Sequence, residues 1–415
     1  MPFSSLGLRA GLLEAVRDLD YQTPTPIQAE AIPLALAGRD LVGCAQTGTG
    51  KTAAFILPLL QRLQGRKGIA ALVVTPTREL ARQIEEVARS CARHTKQRVT
   101  AVYGGVGYQP QVQALRRGVN VLVATPGRLL DLHSHGDVDL SQVEVLVLDE
   151  ADRMLDMGFW PDVRRIIGLL PADRQNMLFS ATLSPQVMRV ADPILRNPAR
   201  VDVAPSATPV DTVTQTVYPV NSFQKTDLLI RLLETKSLDR VLVFTRTKHR
   251  ADRVCRHLAD KGIRGAAIHS NRTQSQRQAA LDGFKRGHCR VLVATDIVAR
   301  GIDVDGISHV VNYDLPSNPD DYIHRIGRTA RAGADGTALS FMAAEETKDL
   351  REIEVLLGQT LECRDLEGFA YLERVVPNPE RTATRKPRAV YGGRGRRRSG
   401  GASTRRPRSG ASWGS

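Results

Sequence analysis

The sequence predicts two tandem α/β units, each a doubly wound parallel sheet, followed by a basic tail that does not fold alone. Three observations lead to this prediction. Short apolar runs alternate with helical patterns, the same succession recurs in the second half, and the composition changes abruptly at residue 377. Parallel strands buried between two helix layers are apolar on both faces, which matches these runs. Their alternation with helices is typical of the doubly wound class.

Five apolar runs in each half are the candidate strands. In the first half they occupy residues 40–45, 70–75, 120–125, 144–149 and 176–180. In the second half they occupy residues 240–245, 265–269, 290–295, 309–313 and 337–342. Helical patterns, for example over 79–92 and 161–170, lie between them. We therefore expect two sheets, each covered by helices on both faces.

Two segments do not follow this pattern. Residues 203–213 are rich in Pro, Ser and Thr, and we expect a linker over 205–213. Residues 377–415 are rich in Arg, Gly, Ser and Pro. The second segment has too little apolar surface to form a core, so it is predicted to be a disordered tail.

The positive charge is unevenly distributed. The chain has 415 residues and a net charge of +14. Eleven basic residues and one acidic residue lie in 377–415, so the tail carries +10 and residues 1–376 carry only +4. Such a tail binds nucleic acid through counterion release, without sequence preference and in a salt-dependent way. The body has ordinary globular composition, with 42% hydrophobic residues in the whole chain.

Several protein classes are excluded by composition. No apolar run approaches the roughly 18–20 residues that cross a bilayer, so a membrane-spanning protein is not expected. Arg9 and Glu14 interrupt the first apolar stretch, which argues against a secretory signal. The five cysteines stand alone, as is typical of reduced thiols in a cytoplasmic protein and not of a disulfide framework or zinc site.

A phosphate-binding loop follows the first apolar run. Its glycines allow backbone N–H groups to surround phosphate oxygens at a helix N-terminus. Lys51 would supply a cation for the β- and γ-phosphates, and the Thr52 hydroxyl can bind Mg²⁺. Position 45 is Ala where the general pattern has Gly. The predicted loop comprises Ala45, Gln46, Thr47, Gly48, Thr49, Gly50, Lys51 and Thr52.

A group of carboxylates ends the run at 144–149. Asp149 is expected to bind Mg²⁺ directly or through water, and Glu150 to act as the base that orients the attacking water. Three acids in four residues could also form a solvated turn. The loop about 100 residues upstream favours a nucleotide hydrolase.

The tetrad 149–152 spells D-E-A-D, and with this the chain resembles the DEAD-box RNA helicases over roughly residues 3–376. The resemblance is closest to the bacterial RhlE-type subgroup. It implies two RecA-like domains, ATP and Mg²⁺ as cofactors, and RNA as the partner, single-stranded or in short duplexes. It further implies a Q-motif region at 1–29, an ATP-binding domain at 30–204 and a C-terminal helicase domain at 214–376.

The resemblance also implies roles for residues before and after the tetrad. Residues 21–28 resemble the family's Q motif, in which Gln28 would bond the adenine edge and Tyr21 would stack on the ring. Ser180 and Thr182 would couple hydrolysis to unwinding through Asp152. RNA phosphates and 2′-hydroxyls would be held by Arg78, Gly105, Thr125 and Arg128, each just past a strand end.

Motifs of the second half complete the resemblance. Asp303 would accept hydrogen bonds from the ribose, and His324 would link to the D-E-A-D carboxylates. Arg328 and Arg331 resemble arginine fingers, which are worth about 10³–10⁵ in turnover in comparable enzymes. Catalysis would then require the two halves to close, which RNA bound across both promotes. RNA contacts are expected from Arg246, Gln274, Arg277, Thr295 and Arg300.

The motifs leave two alternatives to duplex unwinding. One is an ATP-gated RNA clamp or annealing protein whose hydrolysis only resets binding, and the other is a DNA helicase. Contacts to the backbone carry no sequence information, so ribosome assembly, RNA decay and cold adaptation all fit as processes.

Overall fold

The protein is described by a computed structural model that covers residues 2–45, 48–203, 213–235, 238–299, 304, 306–330, 336–373 and 375. Within these residues the strands form two sheets of seven strands each, and all strand pairs are parallel. The two-domain α/β prediction is therefore confirmed.

The first sheet has the order β3-β4-β2-β5-β6-β1-β7, so β3 and β7 are its outer strands. Chain order and spatial order differ, and the consecutive strands that pair, β3 with β4 and β5 with β6, are joined by crossovers, as parallel pairing requires. Its strands are β1 (Leu41–Cys44), β2 (Ala71–Val74), β3 (Val99–Val102), β4 (Val121–Ala124), β5 (Val145–Asp149), β6 (Gln175–Ser180) and β7 (Ala199–Asp202).

Helices cover both faces of this sheet. A short 3₁₀ turn at Phe3–Leu6 precedes them. The helices are α1 (Ala10–Asp18), α2 (Pro26–Leu36), α3 (Lys51–Arg62), α4 (Arg78–Cys91), α5 (Tyr108–Arg116), α6 (Pro126–Ser134), α7 (Ala151–Asp156), α8 (Trp160–Gly168) and α9 (Pro185–Ala191).

The second sheet repeats the design with the order β10-β11-β9-β12-β13-β8-β14. Its strands are β8 (Val213–Pro219), β9 (Val241–Phe244), β10 (Gly265–Ile268), β11 (Val291–Ala294), β12 (His309–Asn312), β13 (Gly336–Met342) and β14 (Glu362–Cys363). Its helices are α10 (Lys225–Thr235), α11 (Lys248–Asp260), α12 (Gln274–Lys285), α13 (Asp296–Ala299), α14 (Pro319–Ile326) and α15 (Thr347–Leu357).

The cores lie on the two faces of each sheet. In β2 all four residues are buried, and alternate side chains enter different clusters. Ala71 and Val73 belong to one cluster, whereas Leu72 and Val74 belong to the other. Side chains of a strand point alternately to opposite faces, so a strand with helices on both sides has to be apolar throughout.

All ten apolar runs overlap a strand, and four further strands lie outside these runs. They are β3, β7, β8 and β14, which lie at or next to a sheet edge. In β7 buried and exposed residues alternate, so it has no continuous apolar run. Val213, the last residue of the predicted linker, begins β8. The rest of the predicted linker and the predicted tail at 377–415 lie outside the described residues.

In the described part of the chain, no helix combines the length and the apolar character that a bilayer crossing demands.

Candidate active site and RNA interface

The phosphate-binding loop lies between β1 and α3. Gly48 and Gly50 have φ angles of 86° and 87°, a conformation that favours glycine and turns backbone N–H groups inward. Lys51 begins α3, is buried, and donates from Nζ to the Ala45 carbonyl at 2.6 Å. Thr52 follows on the first turn of the helix, and Thr49 precedes Gly50. Gln46 and Thr47 lie outside the described residues.

The Q-motif glutamine contacts this loop. Gln28 lies in the first turn of α2, where its Oε1 accepts from the Thr25 backbone N at 3.0 Å. Its Nε2 donates to the Gly50 carbonyl at 3.1 Å, and a side chain at position 50 would collide with this amide. Tyr21 is half-buried and stacks on Phe3 with ring centroids 6.4 Å apart. The region that precedes the first sheet is thus joined to the phosphate-binding loop.

Asp149 ends β5 and is almost fully buried. Burial raises the pKa of its carboxyl to about 7, although the positive charge of Lys51 acts in the opposite direction. One oxygen accepts from the Glu150 backbone N at 3.0 Å. A buried carboxylate next to a cation and a phosphate-binding loop is the arrangement that a divalent cation stabilises.

Glu150 connects β5 to α7, and its backbone adopts the left-handed conformation, with φ 54° and ψ 53°. A non-glycine residue in this region is strained, and such strain is concentrated at functional sites. Its side chain is buried and forms a 2.7 Å ion pair with Arg153, three residues further along α7. Arg153 was not assigned a role from the sequence, although its i+3 spacing could have indicated this contact.

The Asp152 carboxylate accepts several hydrogen bonds from the segment that follows β6. Its Oδ2 accepts from the backbone N of Ala181 at 3.1 Å. The same oxygen accepts from the backbone N and the hydroxyl of Thr182, both at 3.0 Å. Ser180 Oγ accepts from the Asp152 backbone N at 3.3 Å and donates to the Thr182 carbonyl at 2.7 Å. The three predicted coupling residues therefore lie in direct contact.

A small cavity lies between the two halves of the chain. From the first half it is lined by Lys51, Glu150 and Asp152, together with Arg153, Asp156 and Ala181. From the second half it is lined by His324 in α14 and Arg328 just after this helix. Basic side chains from the second half thus face the predicted base of the first. Arg331 lies outside the described residues.

Arg325 holds the segment that carries His324 and Arg328. It is buried, and its guanidinium pairs with both carboxylate oxygens of Asp296, at 2.6 and 2.8 Å. It also donates to the Asn312 side chain and to the Asp314 carbonyl. Such bidentate pairs impose a fixed orientation. Arg325 was not assigned a role from the sequence.

The RNA-facing residues predicted in the first half lie at one edge of the sheet. Arg78 begins α4, and its guanidinium lies directly on Gly105, where any side chain would collide with it. Arg128 donates to the Val106 carbonyl at 3.4 Å and lies over the Tyr108 ring at 5.5 Å. Thr125 is buried at the N-terminus of α6. The structure brings these residues together after β2, β3 and β4.

In the second half, Arg246 follows β9 and Thr295 follows β11. The Arg246 side chain donates to Asp349 and to the Leu315 carbonyl, both at 3.1 Å. Two further predicted residues, Arg300 for RNA and Asp303 for the ribose, lie outside the described residues.

Gln274 and Arg277 make a contact that the sequence did not indicate. Both lie on α12 and reach the Glu79 carboxylate of α4, in the other half of the chain. Arg277 forms a 2.7 Å ion pair with Glu79 Oε1, and Gln274 Nε2 donates to the same oxygen at 3.2 Å. The two residues were predicted to contact RNA. The structure instead gives them a direct role in joining the two halves, and their RNA contact stays a prediction.

Two family models match the chain. The model described as DEAD/DEAH box helicase matches residues 25–190. The model described as helicase conserved C-terminal domain matches residues 224–333. Together they cover strands β1 to β6 and β9 to β12 and the residues that line the cavity.

Curated relatives and a solved structure agree with these models. The DEAD-box ATP-dependent RNA helicase RhpA of Helicobacter pylori is 42% identical over 364 residues, which are 88% of this chain and 74% of RhpA. The ATP-dependent RNA helicase CshA of Limosilactobacillus reuteri is 43% identical, over 86% of this chain and 72% of CshA. S. cerevisiae Dbp5 bound to RNA and ADP BeF3 superposes with a TM-score of 0.79 at 33% identity, over 88% of this chain and 95% of Dbp5. The chain therefore belongs to the DEAD-box family of ATP-dependent RNA helicases.

Proposed function

We propose that the protein hydrolyses ATP in response to RNA and uses the closure of its two halves to separate short RNA duplexes locally. The observation that carries this proposal is the cavity between the halves, in which Lys51 and Glu150 face His324 and Arg328. Neither half alone contributes all four of these side chains. Hydrolysis can then proceed only when the halves are closed, and RNA that binds across both favours closure.

The residues around the phosphate-binding loop fit ATP. Gly48 and Gly50 allow the backbone to surround phosphate oxygens, and Lys51 lies where the triphosphate would replace its bond to the Ala45 carbonyl. The Gln28 amide can serve as donor and acceptor for the adenine edge, and Tyr21 offers an aromatic face. Asp303 would receive the ribose hydroxyls, as the family resemblance implies.

The donor set also fits Mg²⁺. Thr52 supplies a hydroxyl and Asp149 a carboxylate, and hard oxygen ligands are those that Mg²⁺ prefers. The buried Asp149 carboxyl, whose pKa is raised to about 7, is a group that a bound cation would stabilise in its ionised form. When bound, the ion would neutralise charge that develops on the phosphates.

Each catalytic group has an assignable task in hydrolysis. Glu150 would orient and deprotonate the attacking water, for which it must exchange its ion pair with Arg153 for that water. Arg328 and Arg331 would stabilise the negative charge on the transferred phosphoryl group. His324 would join this group to the D-E-A-D carboxylates. Closure thus completes the catalytic set.

RNA would bind through its backbone at the ligand edges of both sheets. Arg78, Gly105, Thr125 and Arg128 would contribute from the first half, and Arg246, Thr295 and Arg300 from the second. Contacts of this kind read phosphates and 2′-hydroxyls and not bases. RNA from ribosomal precursors or from decay intermediates in the cytoplasm is compatible with such recognition.

The comparison of nucleic acids as activators tests the proposal. ATP turnover should rise strongly with single-stranded RNA and only weakly with DNA of the same sequence, because DNA lacks the 2′-hydroxyls. An Arg328→Lys variant keeps the charge but loses the fork geometry, and it should lose most of the stimulated turnover. Equal stimulation by DNA would indicate the DNA-helicase alternative.

A further inference from the structure

The outer edge of the first sheet carries a basic groove that contains none of the motif residues. Its floor is β3, the outermost strand of the sheet, and its walls are the C-terminal ends of α4 and α5. The open space measures about 540 Å³. We call this surface the edge groove, and it is lined by Arg89, Gln97, Arg98, Thr100, Arg117 and Gly118.

Of the three arginines that line the edge groove, one is paired with a carboxylate. Arg89 pairs with Glu85 at 2.7 Å. Arg98 donates to the Arg117 backbone carbonyl, which carries no net charge. Within the described parts of the chain, neither Arg98 nor Arg117 forms an ion pair, and both are exposed, as is the nearby Lys96. Cations without acidic partners make a surface that attracts anions.

The floor of the edge groove is closed to a pairing strand. An outer strand normally offers backbone groups that an extended peptide could join. Here Glu85 Oε1 accepts from the Ala101 backbone N at 3.1 Å, and Arg89 Nε donates to the Val99 carbonyl at 3.2 Å. These side chains occupy two of the hydrogen-bonding positions of β3. The guanidinium groups of Arg98 and Arg117 are left as the principal recognition elements.

The edge groove lies in line with the predicted RNA interface. Helix α4 begins at Arg78 and has 14 residues, and α5 begins at Tyr108, just after Gly105. At about 1.5 Å per residue, the C-terminal end of α4 is roughly 20 Å from Arg78. A strand of RNA that passes Gly105 at the ligand edge can therefore continue along β3 to the opposite edge of the sheet.

We propose that the edge groove binds backbone phosphates of single-stranded RNA that extends past Gly105. Arg98 and Arg117 each present a planar fork of donors, the geometry that suits phosphate oxygens. The groove would lengthen the RNA footprint on the first domain without reading sequence. This inference rests on the proposed function, since it requires that RNA occupy the motif-lined interface.

The test compares two double variants of the full-length chain with equal change in charge. Arg98→Glu with Arg117→Glu alters the edge groove, whereas Arg164→Glu with Arg189→Glu alters exposed arginines on α8 and α9. Affinity is measured for a short RNA that fills only the motif-lined interface and for a longer RNA, over a range of salt. The groove variant should bind the longer RNA on the order of tenfold more weakly at low salt, and its log–log salt slope should fall by about 1.4, at roughly 0.7 for each of two phosphates.

The short RNA should bind both double variants and the unaltered protein equally. An equal loss of affinity for both RNA lengths, or the same loss in the control double variant, would overturn the proposal. Displacement of the longer RNA by polyglutamate as readily as by unlabelled RNA would assign the groove to an acidic protein and also overturn it. If Arg98→Glu with Arg117→Glu unfolds, Arg98→Gln with Arg117→Gln replaces it. Failure of RNA to stimulate the unaltered enzyme would contradict the proposed function instead.

Discussion

Glu79 of α4 and Arg277 of α12 form a 2.7 Å ion pair across the two halves of the chain. Both side chains are buried in this contact, and burial lowers the pKa of the Arg277 guanidinium. Gln274 donates to the same carboxylate oxygen. A buried charge without its partner is costly, so the contact favours closure only while both partners are present.

The Glu79–Arg277 pair should control how readily the halves close. Glu79→Gln removes the charge but keeps the shape, and hydrogen bonds to charged groups contribute about 1.5–3 kcal/mol. We expect RNA-stimulated ATP turnover to fall about tenfold to a hundredfold, with a higher RNA concentration needed for half-stimulation. Steady-state ATPase measurements over a range of RNA concentrations test this.

A double-variant cycle serves as the control for this pair. Arg277→Gln and Glu79→Gln together should cost little more than either change alone, because either single change already breaks the interaction. Additive losses would show that the two residues act independently. Thermal unfolding of each variant reports whether the individual domains stay folded.

Glu150 should be essential for hydrolysis but not for binding. Glu150→Gln removes the base and is expected to lower turnover by about 10²–10⁴-fold, while ATP and RNA still bind. Single-turnover hydrolysis and equilibrium binding measure the two effects. Asp156→Asn, which changes another acid at the same cavity, should have a smaller effect. Substantial residual turnover in Glu150→Gln would refute the role of Glu150 as base.

The contact between Asp152 and Thr182 should couple hydrolysis to duplex separation. Thr182→Val keeps the size of the side chain and removes the hydroxyl that donates to Asp152 at 3.0 Å. We expect ATPase activity within about threefold of the unaltered protein and a roughly tenfold loss of strand displacement, since about 1.4 kcal/mol is lost from one hydrogen bond. Equal losses of both activities would contradict a coupling role.

The buried Asp149 should make the stability of the first domain depend on pH. The pKa of Asp149 is about 7 in the folded protein and near 3.8 in the unfolded chain. Its neutral form is favoured by folding, so the stabilising contribution is fully present below pH 4 and is lost as the pH rises through about 7. Asp149→Asn should raise the unfolding temperature at pH 8, where the free energy of unfolding should increase by on the order of a few kcal/mol. At pH 4 it should change the unfolding temperature little.

The unfolding measurements on Asp149→Asn are made in the presence of a chelator, because a bound cation would stabilise the ionised carboxylate. Addition of Mg²⁺ in place of the chelator is the control. An equal effect of Asp149→Asn at both pH values would rule out titration of Asp149 as the cause.

Deletion of residues 377–415 should weaken RNA binding without abolishing catalysis. The tail carries a net charge of +10, and each neutralised phosphate contributes about 0.7 to the salt slope for single strands. We expect lower RNA affinity and a shallower salt dependence, with RNA-stimulated ATPase retained. Unchanged affinity at low salt would contradict the prediction that the tail binds RNA.

The interior of the fold could be predicted from the sequence, and the contacts between its halves could not. Strands such as β2 and β5 are buried on both faces and therefore appear as unbroken apolar runs. The outer strands β7 and β14 are partly exposed or very short, so hydrophobicity alone does not mark them. The helix starts at Arg78 and Trp160 each differ by one residue from the predicted patterns.

In the candidate site, too, local features could be predicted from the sequence and contacts between the halves could not. Residues that belong to a local motif, such as Lys51, Asp149 and Thr182, were identified from the sequence because the chemistry lies within a few residues. Glu79 and Arg277 are almost 200 positions apart, and their contact depends on how two separately folded sheets meet. No local pattern contains that information.

The central claim is that ATP hydrolysis in the closed cavity drives the separation of RNA strands. Strand displacement from a short RNA duplex with a single-stranded extension, measured with ATP, without ATP and with the Glu150→Gln variant, tests it most directly. We predict displacement only with ATP and the unaltered protein. Displacement that is equally fast without ATP, or ATP turnover that never separates the strands, would contradict the claim and favour an RNA clamp.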